Sequence, residues 1–188
     1  MIGIYGTVEG IHNEPDGIFL KPPKPRLNEL YIRRGAQKAG VPVIAGRGSV
    51  LTEALPGVEG RGTCFYCGQC GRACRVYGDF SSSSCLVIPA MKTGNLTVID
   101  NAMVREVLTN DEGLATGVSY VSTTDLQEHT VRGKLVILGA SACESARLLL
   151  NSRSAAHPGG LGNSSGLVGR YLHDSTGASA GGFLPQLL

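Results

Sequence analysis

Residues typical of β-strands gather in four short runs in the second half of the chain. These runs span residues 96–99, 103–108, 115–121 and 129–131. Turn-forming side chains separate them, at residues 110–113 and again at 123–125. Short strands divided by such turns are typical of a sheet in which each strand pairs with the next one along the chain. The pattern therefore predicts a meander of antiparallel strands.

A helix is predicted in the first quarter of the chain. Leu27, Leu30 and Tyr31 fall on one face of a helix, because residues three and four apart lie one above the other. Gly40 is of the type that ends helices, since glycine adopts the left-handed backbone conformation at low cost. The pattern predicts a helix from Leu27 to Ala39.

A continuous apolar run, Leu135–Leu138, precedes a second predicted helix over residues 142–151. Such a run is typical of a strand buried on both faces. Between the two, Ser141 and Glu144 have the spacing of a capping box, in which each side chain bonds a main-chain N–H of the first helical turn. A buried strand, a tight turn and a capped helix make half of a βαβ unit.

The segment from residue 46 to residue 85 has neither the helical nor the strand period. It is rich in Gly, Cys and Ser, which predicts a long loop. Long ordered loops in compact domains are usually functional. Together with the predicted meander and the half βαβ unit, this loop indicates a fold of the α/β class with mixed α and β elements.

Four cysteines occur within eleven residues of this loop, with the spacing C-x2-C-x2-C-x3-C. They are Cys64, Cys67, Cys70 and Cys74. Bacterial ferredoxins hold an iron–sulfur cluster with this spacing, and four thiolates also suit tetrahedral Zn²⁺. Arg75 stands where ferredoxins have proline, and the chain has no second cysteine set, which argues against a ferredoxin module. Two alternatives remain: a metal or cluster site, and a loop of free or disulfide-paired thiols.

Composition narrows the function classes. A net charge of +2 is too small to indicate a nucleic-acid or anionic membrane surface. Aromatic residues make up 5% and Trp is absent, so platforms for base stacking are not expected. No apolar run approaches the roughly 20 residues of a membrane-spanning helix. A hydrophobic share of 42% is enough for a core in a chain of 188 residues, the length of one domain or of one domain with an extension.

The turn before the second predicted helix is a candidate anion site. Free N–H groups and the helix dipole attract phosphate at a helix N-terminus, although every helix start in an α/β fold shares this property. The chain contains neither G-x-G-x-x-G nor G-x-x-x-x-G-K-[ST]. If a dinucleotide binds here, its main fingerprint is therefore expected outside this chain.

Residues 136–152, VILGASACESARLLLNS, resemble the second conserved motif of the glucose–methanol–choline (GMC) flavin oxidoreductases. Residues 160–172 resemble its continuation in the branch of bacterial sugar, polyol and gluconate dehydrogenases. Arg61 and the cysteine run are similar to a cysteine-rich loop of that branch. Residues 94–97, 104–107 and 115–118 resemble the strand pair with which the family contacts the FAD adenine. The resemblance covers most of residues 2–174.

The resemblance implies a partial, Rossmann-like FAD-binding domain. Within it, the main chain of Val104 is expected to lie on the adenine ring. Ala140 and Ser141 are expected to approach the FAD diphosphate or ribose. Family members often have glycine where Ser141 stands.

The resemblance also implies an enzyme larger than this chain. Family members begin with a G-x-G-x-x-G unit and end with a substrate domain that carries a catalytic histidine, and neither motif is present here. Residues 1–188 are thus expected to form an incomplete FAD-binding domain that includes the cysteine-rich loop 46–85, with no catalytic residue to carry over. The full enzyme would oxidise CH–OH groups of a sugar, polyol or related alcohol by hydride transfer to FAD, passing electrons to an acceptor subunit. The isolated segment is expected to be inactive.

The resemblance implies two possible roles for the cysteines, as cluster ligands or as thiols of a loop without a cluster. Some members hold a three-iron cluster in the corresponding loop, and Cys64, Cys70 and Cys74 fit such a ligand set, with Cys67 left over. Other members with similar loops carry no cluster. An alternative from a different class is a small iron–sulfur or zinc module for electron transfer or structure, built on Cys64–Cys74, which needs no further domains. A non-catalytic remnant is the third alternative.

Overall fold

The computed structural model describes residues 2–10, 12, 15–179, 181–183 and 185, and the chain divides into two compact units. The first unit comprises the described residues up to Thr97 and those from Gly181 onwards. The second comprises the described residues from Val98 to Ser179. In the part of the chain that the structure describes, no helix is long and apolar enough to cross a membrane.

Helix α1, Leu27–Lys38, lies in the first unit and confirms the helix predicted from apolar spacing. The N–H of Arg26 donates to Oε2 of Glu29 at 2.6 Å, which satisfies one of the main-chain donors at the helix start. Gly40 has a φ of +71° and follows the last turn, as a glycine stop signal predicts. None of the helix residues is buried, so its apolar face remains open.

The small core of the first unit forms around Leu51 and Leu20, which are buried. Arg61 links separate stretches of chain around it. Its guanidinium donates to the carbonyl oxygen of Ile2 at 2.6 Å, of Tyr77 at 3.0 Å and of Gly78 at 3.1 Å. One charged side chain thus supplies a donor to three carbonyl groups, although that of Gly78 also accepts from the N–H of Leu51 at 2.9 Å.

The segment from residue 46 to residue 85 is mostly loop, as predicted, with two helical parts. A single 3₁₀ turn, Cys70–Arg72, lies inside the cysteine run. A π-helical turn, Ser83–Val87, then leads directly into helix α2, Ile88–Lys92. The end of the predicted loop is therefore the beginning of a helix. The sequence did not indicate this helix start, because serine has no strong helical preference.

A three-stranded antiparallel sheet organises the second unit. Strands β1 (Ala102–Thr109), β2 (Ala115–Ser122) and β3 (Glu128–Arg132) are adjacent in chain order. The predicted meander is confirmed for three of its four runs. Residues 96–99 are not a strand, and their apolar side chains are exposed. No neighbouring strand in the described parts of the chain pairs with them.

Gly117 shows how closely β2 and β3 approach each other. Its φ is +156°, and a Cβ atom at this position would lie 2.2 Å from the carbonyl oxygen of Val131. Only glycine fits there, because any side chain would overlap main-chain atoms of β3.

Helix α3, Ser141–Asn151, confirms the second predicted helix. The apolar run before it is not a strand, and the prediction of a doubly buried strand at Leu135–Leu138 is wrong for this structure. Leu135 is 77% exposed and Ile137 is 81% exposed. A strand of this kind needs paired strands beside it and packed layers on both faces, and the described residues provide neither.

The predicted capping box is also wrong. Ala140 is the N-cap of α3 and Ser141 is its first residue, with a φ of +65°. This register places Glu144 at the fourth helical position. In a capping box the acidic residue stands at the third position, from which its side chain bonds the main-chain N–H of the N-cap. Glu144 instead accepts a hydrogen bond from Nε of Arg147 at 2.8 Å.

Candidate functional site

Arg147 of helix α3 holds the main chain of strand β1. Its Nη2 atom donates to the carbonyl oxygen of Val104 at 2.9 Å, while its Nε atom is paired with Glu144. The guanidinium fork therefore has one partner on its own helix and one on the sheet. An arginine so oriented gives up less side-chain freedom per hydrogen bond than a lysine, because its donors are fixed in a plane.

Ser152 makes the second link between α3 and β1. The N–H of Val107 donates to Oγ of Ser152 at 2.8 Å, and that hydroxyl donates to the carbonyl oxygen of Leu148 at 2.6 Å. Val107, Leu148 and Ser152 are all buried, so this polar bond lies inside the contact between helix and sheet. Both hydrogen-bonding capacities of the hydroxyl are used, as a buried polar group requires.

Val104, the residue predicted to contact adenine, lies half-buried beside an irregularity of β1. It pairs with Tyr120, and the next pair in register is Glu106 with Ser119, so Arg105 is the extra residue of a β-bulge. Bulges re-aim the main chain of a strand and are common next to binding sites. The Val104 carbonyl oxygen already accepts from Arg147, so an adenine amino group would have to use the second lone pair of that oxygen.

Ala140 and Ser141, predicted to approach the FAD diphosphate or ribose, lie at the start of α3. In the described structure no side chain caps this terminus, so the first-turn N–H groups remain available to an anion. A Cβ atom at Gly139 would meet nothing within 4 Å, which leaves open space in front of the helix. These two observations fit a phosphate-bearing ligand.

The predicted contact points lie on adjoining elements. Val104 is tied to Arg147, which comes six residues after Ser141 and so roughly 9 Å further along the helix axis. A groove of about 610 Å³ runs along the same helix and is lined by residues of α3 and by residues 169–173. Val104, Ala140 and Ser141 are not among the residues that line this groove.

The cysteine run in the first unit is anchored at its ends. The N–H of Cys64 donates to the carbonyl oxygen of Leu51 at 2.7 Å, and the N–H of Tyr77 donates to the carbonyl oxygen of Cys74 at 3.1 Å. Between these anchors, the hydrogen bonds found in the described structure stay within the run. The N–H of Arg72, for example, donates to the carbonyl oxygen of Gln69 at 2.9 Å.

The thiols differ in their ease of ionisation. Cys70 is exposed as a residue, yet partial burial of its sulfur raises the pKa of the thiol, and the negative charges of Asp79, Cys64 and Cys67 raise it further. The pKa of Cys74 is lowered, chiefly because the main-chain N–H of Asp79 faces its sulfur. Hydrogen bonds to a thiolate favour the charged form.

All four cysteines line a cavity of about 910 Å³ in the first unit. Thr52 lines it too, and its buried hydroxyl has no hydrogen-bond partner in the described structure. Among the described residues, no group of three or more His, Cys, Asp or Glu side chains is arranged to hold a metal ion. The arrangement of Cys64, Cys67, Cys70 and Cys74 thus gives no support to the predicted cluster or zinc site.

Two residues that matter for this geometry were not among the predicted site residues. Arg147 and Ser152 both lie within the motif at residues 136–152, but their partners on β1 are more than 40 positions away. Their side-chain types carried a weak signal, since an arginine and a serine on the sheet-facing side of a helix usually bond main-chain groups when buried.

The sequence of the chain is similar to those of known oxidoreductases. A family model described as GMC oxidoreductase matches residues 21–176. The chain is 43% identical over 72 residues to 2-methyl-1,2-propanediol dehydrogenase from Mycolicibacterium austroafricanum, a match that covers 38% of this chain and 13% of that protein. It is 32% identical over 119 residues to the fructose dehydrogenase large subunit from Gluconobacter japonicus, which covers 63% of this chain and 21% of that protein.

A third relative is paromamine 6'-oxidase from Streptomyces fradiae, 50% identical over 44 residues. That match covers 23% of this chain and 8% of the oxidase. The matches therefore span between 8% and 21% of the length of these curated relatives. All three relatives are named as dehydrogenases or oxidases.

Proposed function

Because the chain belongs to the GMC oxidoreductase family, we propose that it forms part of the FAD-binding domain of an enzyme that oxidises alcohol groups. The relatives named as propanediol dehydrogenase, fructose dehydrogenase and paromamine oxidase support oxidation of CH–OH groups in a polyol, sugar or related alcohol. The observation that carries the proposal is the start of α3, which no side chain caps in the described structure and which is joined through Arg147 to β1.

Each predicted contact residue has a distinct part in this proposal. Ala140 and Ser141 hold the diphosphate with main-chain N–H groups, to which the helix dipole adds a favourable field. Val104 presents its main chain to the adenine, and Arg147 fixes that main chain against the helix. When bound, FAD supplies the acceptor for a hydride from the alcohol carbon.

We propose further that residues 1–188 are an incomplete FAD-binding domain with the cysteine-rich loop 46–85 inside it. The greater length of the relatives supports this reading. So does the exposure of Leu135 and Ile137 in the segment before α3, since apolar side chains at such a position normally lie under a neighbouring layer. A domain lacking those layers would be inactive alone.

An electron-accepting subunit is the proposed protein partner, and a small alcohol or sugar is the proposed substrate. The relative from Gluconobacter japonicus is named as a large subunit, which supports an enzyme of more than one chain.

The experiment compares flavin content with and without a negative charge at the start of α3. Residues 1–188 are expressed as part of a full-length GMC oxidoreductase. FAD is measured by absorbance after purification. Ser141→Asp places a carboxylate where the diphosphate approaches, so FAD content and alcohol-dependent dye reduction both fall.

Ser164→Asp is the matched control, because Ser164 is exposed on a loop of the same unit. It leaves FAD content unchanged. Equal FAD content in Ser141→Asp and the unsubstituted protein would contradict the proposed role of this helix start. Dye reduction by the isolated 188-residue chain would contradict the proposal that it is inactive alone.

A further inference from the structure

The two central cysteines of the run differ from the two outer ones in their surroundings. Cys67 and Cys70 are exposed, whereas Cys64 and Cys74 are partly covered and lie at the anchored ends. The N–H of Tyr66 also donates to Sγ of Cys64 at 3.4 Å, which occupies that sulfur. The tip of the loop therefore presents one unencumbered C-x-x-C pair.

The tip is shaped by its own main chain. Gly68 has a φ of +69°, and Cys70 opens the 3₁₀ turn to which Arg72 belongs. Its hydrogen bonds in the described structure are local, so small movements of Cys67 toward Cys70 do not disturb the anchors at Leu51 and Tyr77. Two cysteines separated by two residues in a turn are the arrangement used by C-x-x-C motifs that form disulfides.

We propose that Cys67 and Cys70 are a dithiol site for exchange with small-molecule disulfides that enter the cavity beside them. The cavity, at about 910 Å³, is large enough for a ligand the size of a tripeptide disulfide. The lack of a metal-holding group among the described residues is consistent with thiols that remain free to react.

The exchange proceeds in two balanced steps. The sulfur of Cys67, as thiolate, attacks one sulfur of the small disulfide, so a mixed disulfide forms and one small thiolate leaves and takes up a proton. Cys70 then loses its proton and attacks the Cys67 sulfur, and the second small thiol is released. Two protein thiols are oxidised to one disulfide, and one small disulfide is reduced to two thiols.

The test uses the full 188-residue chain and oxidised glutathione as the probe. Free thiols are counted after unfolding, and disulfide-linked peptides are mapped by mass spectrometry. The count falls from six to four, and the mapped link joins Cys67 to Cys70. In Cys70→Ser the reaction stops with glutathione attached to Cys67, because the resolving thiol is missing.

Cys143→Ser is the matched control, since Cys143 is exposed but lies outside the cysteine run. It leaves the Cys67–Cys70 link unchanged. A count that stays at six, a link between Cys64 and Cys74, or faster modification of Cys143 than of Cys67 would each overturn the proposal. A second experiment supplies Zn²⁺ before glutathione. Stoichiometric Zn²⁺ binding that protects all four cysteines from glutathione would overturn the proposal in favour of a metal site.

Discussion

The carbonyl oxygen of Val104 and the guanidinium of Arg147 are joined by a hydrogen bond of 2.9 Å across 43 positions of sequence. This bond, together with that between Val107 and Ser152, fastens helix α3 to the strand β1. The strand proposed to face adenine and the helix proposed to face the diphosphate are therefore held together by hydrogen bonds.

Arg147→Ala removes the bond to Val104 and the pairing with Glu144. We expect the free energy of unfolding to fall by about 1.5–3 kcal/mol, because that is the worth of a hydrogen bond that involves a charged group. Urea unfolding followed by circular dichroism measures the change. Arg132→Ala, at an exposed position on β3, is the control and stays close to the unsubstituted protein. Equal stability of both variants would show that the Arg147 bond contributes nothing.

Ser152→Ala leaves the N–H of Val107 buried without its acceptor. An unsatisfied buried donor costs about 1–3 kcal/mol, so the urea midpoint falls. Ser165→Ala, on an exposed loop, serves as the control. Hydrogen exchange adds a local readout, since the amide of Val107 loses protection when its acceptor is gone. An unchanged exchange rate there would mean that another acceptor replaces the hydroxyl.

Gly117→Ala introduces a Cβ atom 2.2 Å from the Val131 carbonyl oxygen at a φ of +156°. We expect a loss of more than about 2 kcal/mol, because both the strained backbone and the overlap with main-chain atoms oppose the native sheet. Gly177→Ala is the control, since a Cβ at that position meets nothing within 4 Å. A melting temperature unaffected by Gly117→Ala would show that β2 and β3 are further apart than described.

Thr52→Val is expected to stabilise the protein. The Thr52 hydroxyl is buried without a partner in the described structure, so an apolar group of the same shape removes a desolvation cost of about 1 kcal/mol. The measurement is the urea midpoint, with Thr63→Val, at an exposed position nearby, as the control. Destabilisation by Thr52→Val would indicate that the hydroxyl has a partner in solution, such as bound water.

Asp125 gives the second unit a dependence on pH. The main-chain N–H of Gln127 donates to its Oδ1 atom at 3.0 Å, and this bond, with help from Ser122, lowers the pKa of the carboxyl. A carboxyl with a lowered folded-state pKa contributes stability above its unfolded value and loses it as pH falls through the folded value. The loss therefore begins below about pH 4.

Asp125→Asn tests this dependence. The variant keeps an acceptor oxygen but cannot titrate, so its stability changes less than that of the unsubstituted protein between pH 5 and about pH 3. Asp111→Asn, in the turn between β1 and β2, is the control. Parallel stability curves for Asp125→Asn and the unsubstituted protein would exclude a contribution from this carboxyl.

Local patterns predicted the elements whose structure is determined locally. Helix α1 follows from the spacing of Leu27, Leu30 and Tyr31 and from the glycine that ends it. The three paired strands follow from strand-forming runs and from the turns between them. In both cases the residues that define the element also supply its partners, either within the helix or in the next strand.

Predictions failed where the outcome depends on distant or missing partners. The run Leu135–Leu138 has the composition of a buried strand, but composition does not provide the neighbouring strands. The capping box at Ser141 failed by a single position of helical register, which sequence spacing does not resolve. The contact of Arg147 with Val104 depends on how a helix packs on a sheet, and no local pattern encodes it.

The predicted site residues divide in the same way. Ala140 and Ser141 do lie at a helix start, and Val104 does lie on the strand beside that helix. The cysteine spacing left two alternatives, ligands for a metal or a loop of free or disulfide-paired thiols, and in the structure Cys67 and Cys70 are exposed while Cys64 and Cys74 are partly covered. Spacing along the chain cannot distinguish a set of four metal ligands from a loop with two exposed thiols. The difference depends on the main-chain hydrogen bonds that Cys64 makes with Leu51 and Cys74 makes with Tyr77.

The exposure of Leu135 and Ile137 has a consequence for the life of the chain in a cell. An extended apolar segment that faces water is the kind of surface that chaperones hold and that proteases of the quality-control system recognise. We therefore expect a fragment expressed without a layer over this segment to be short-lived in a cell.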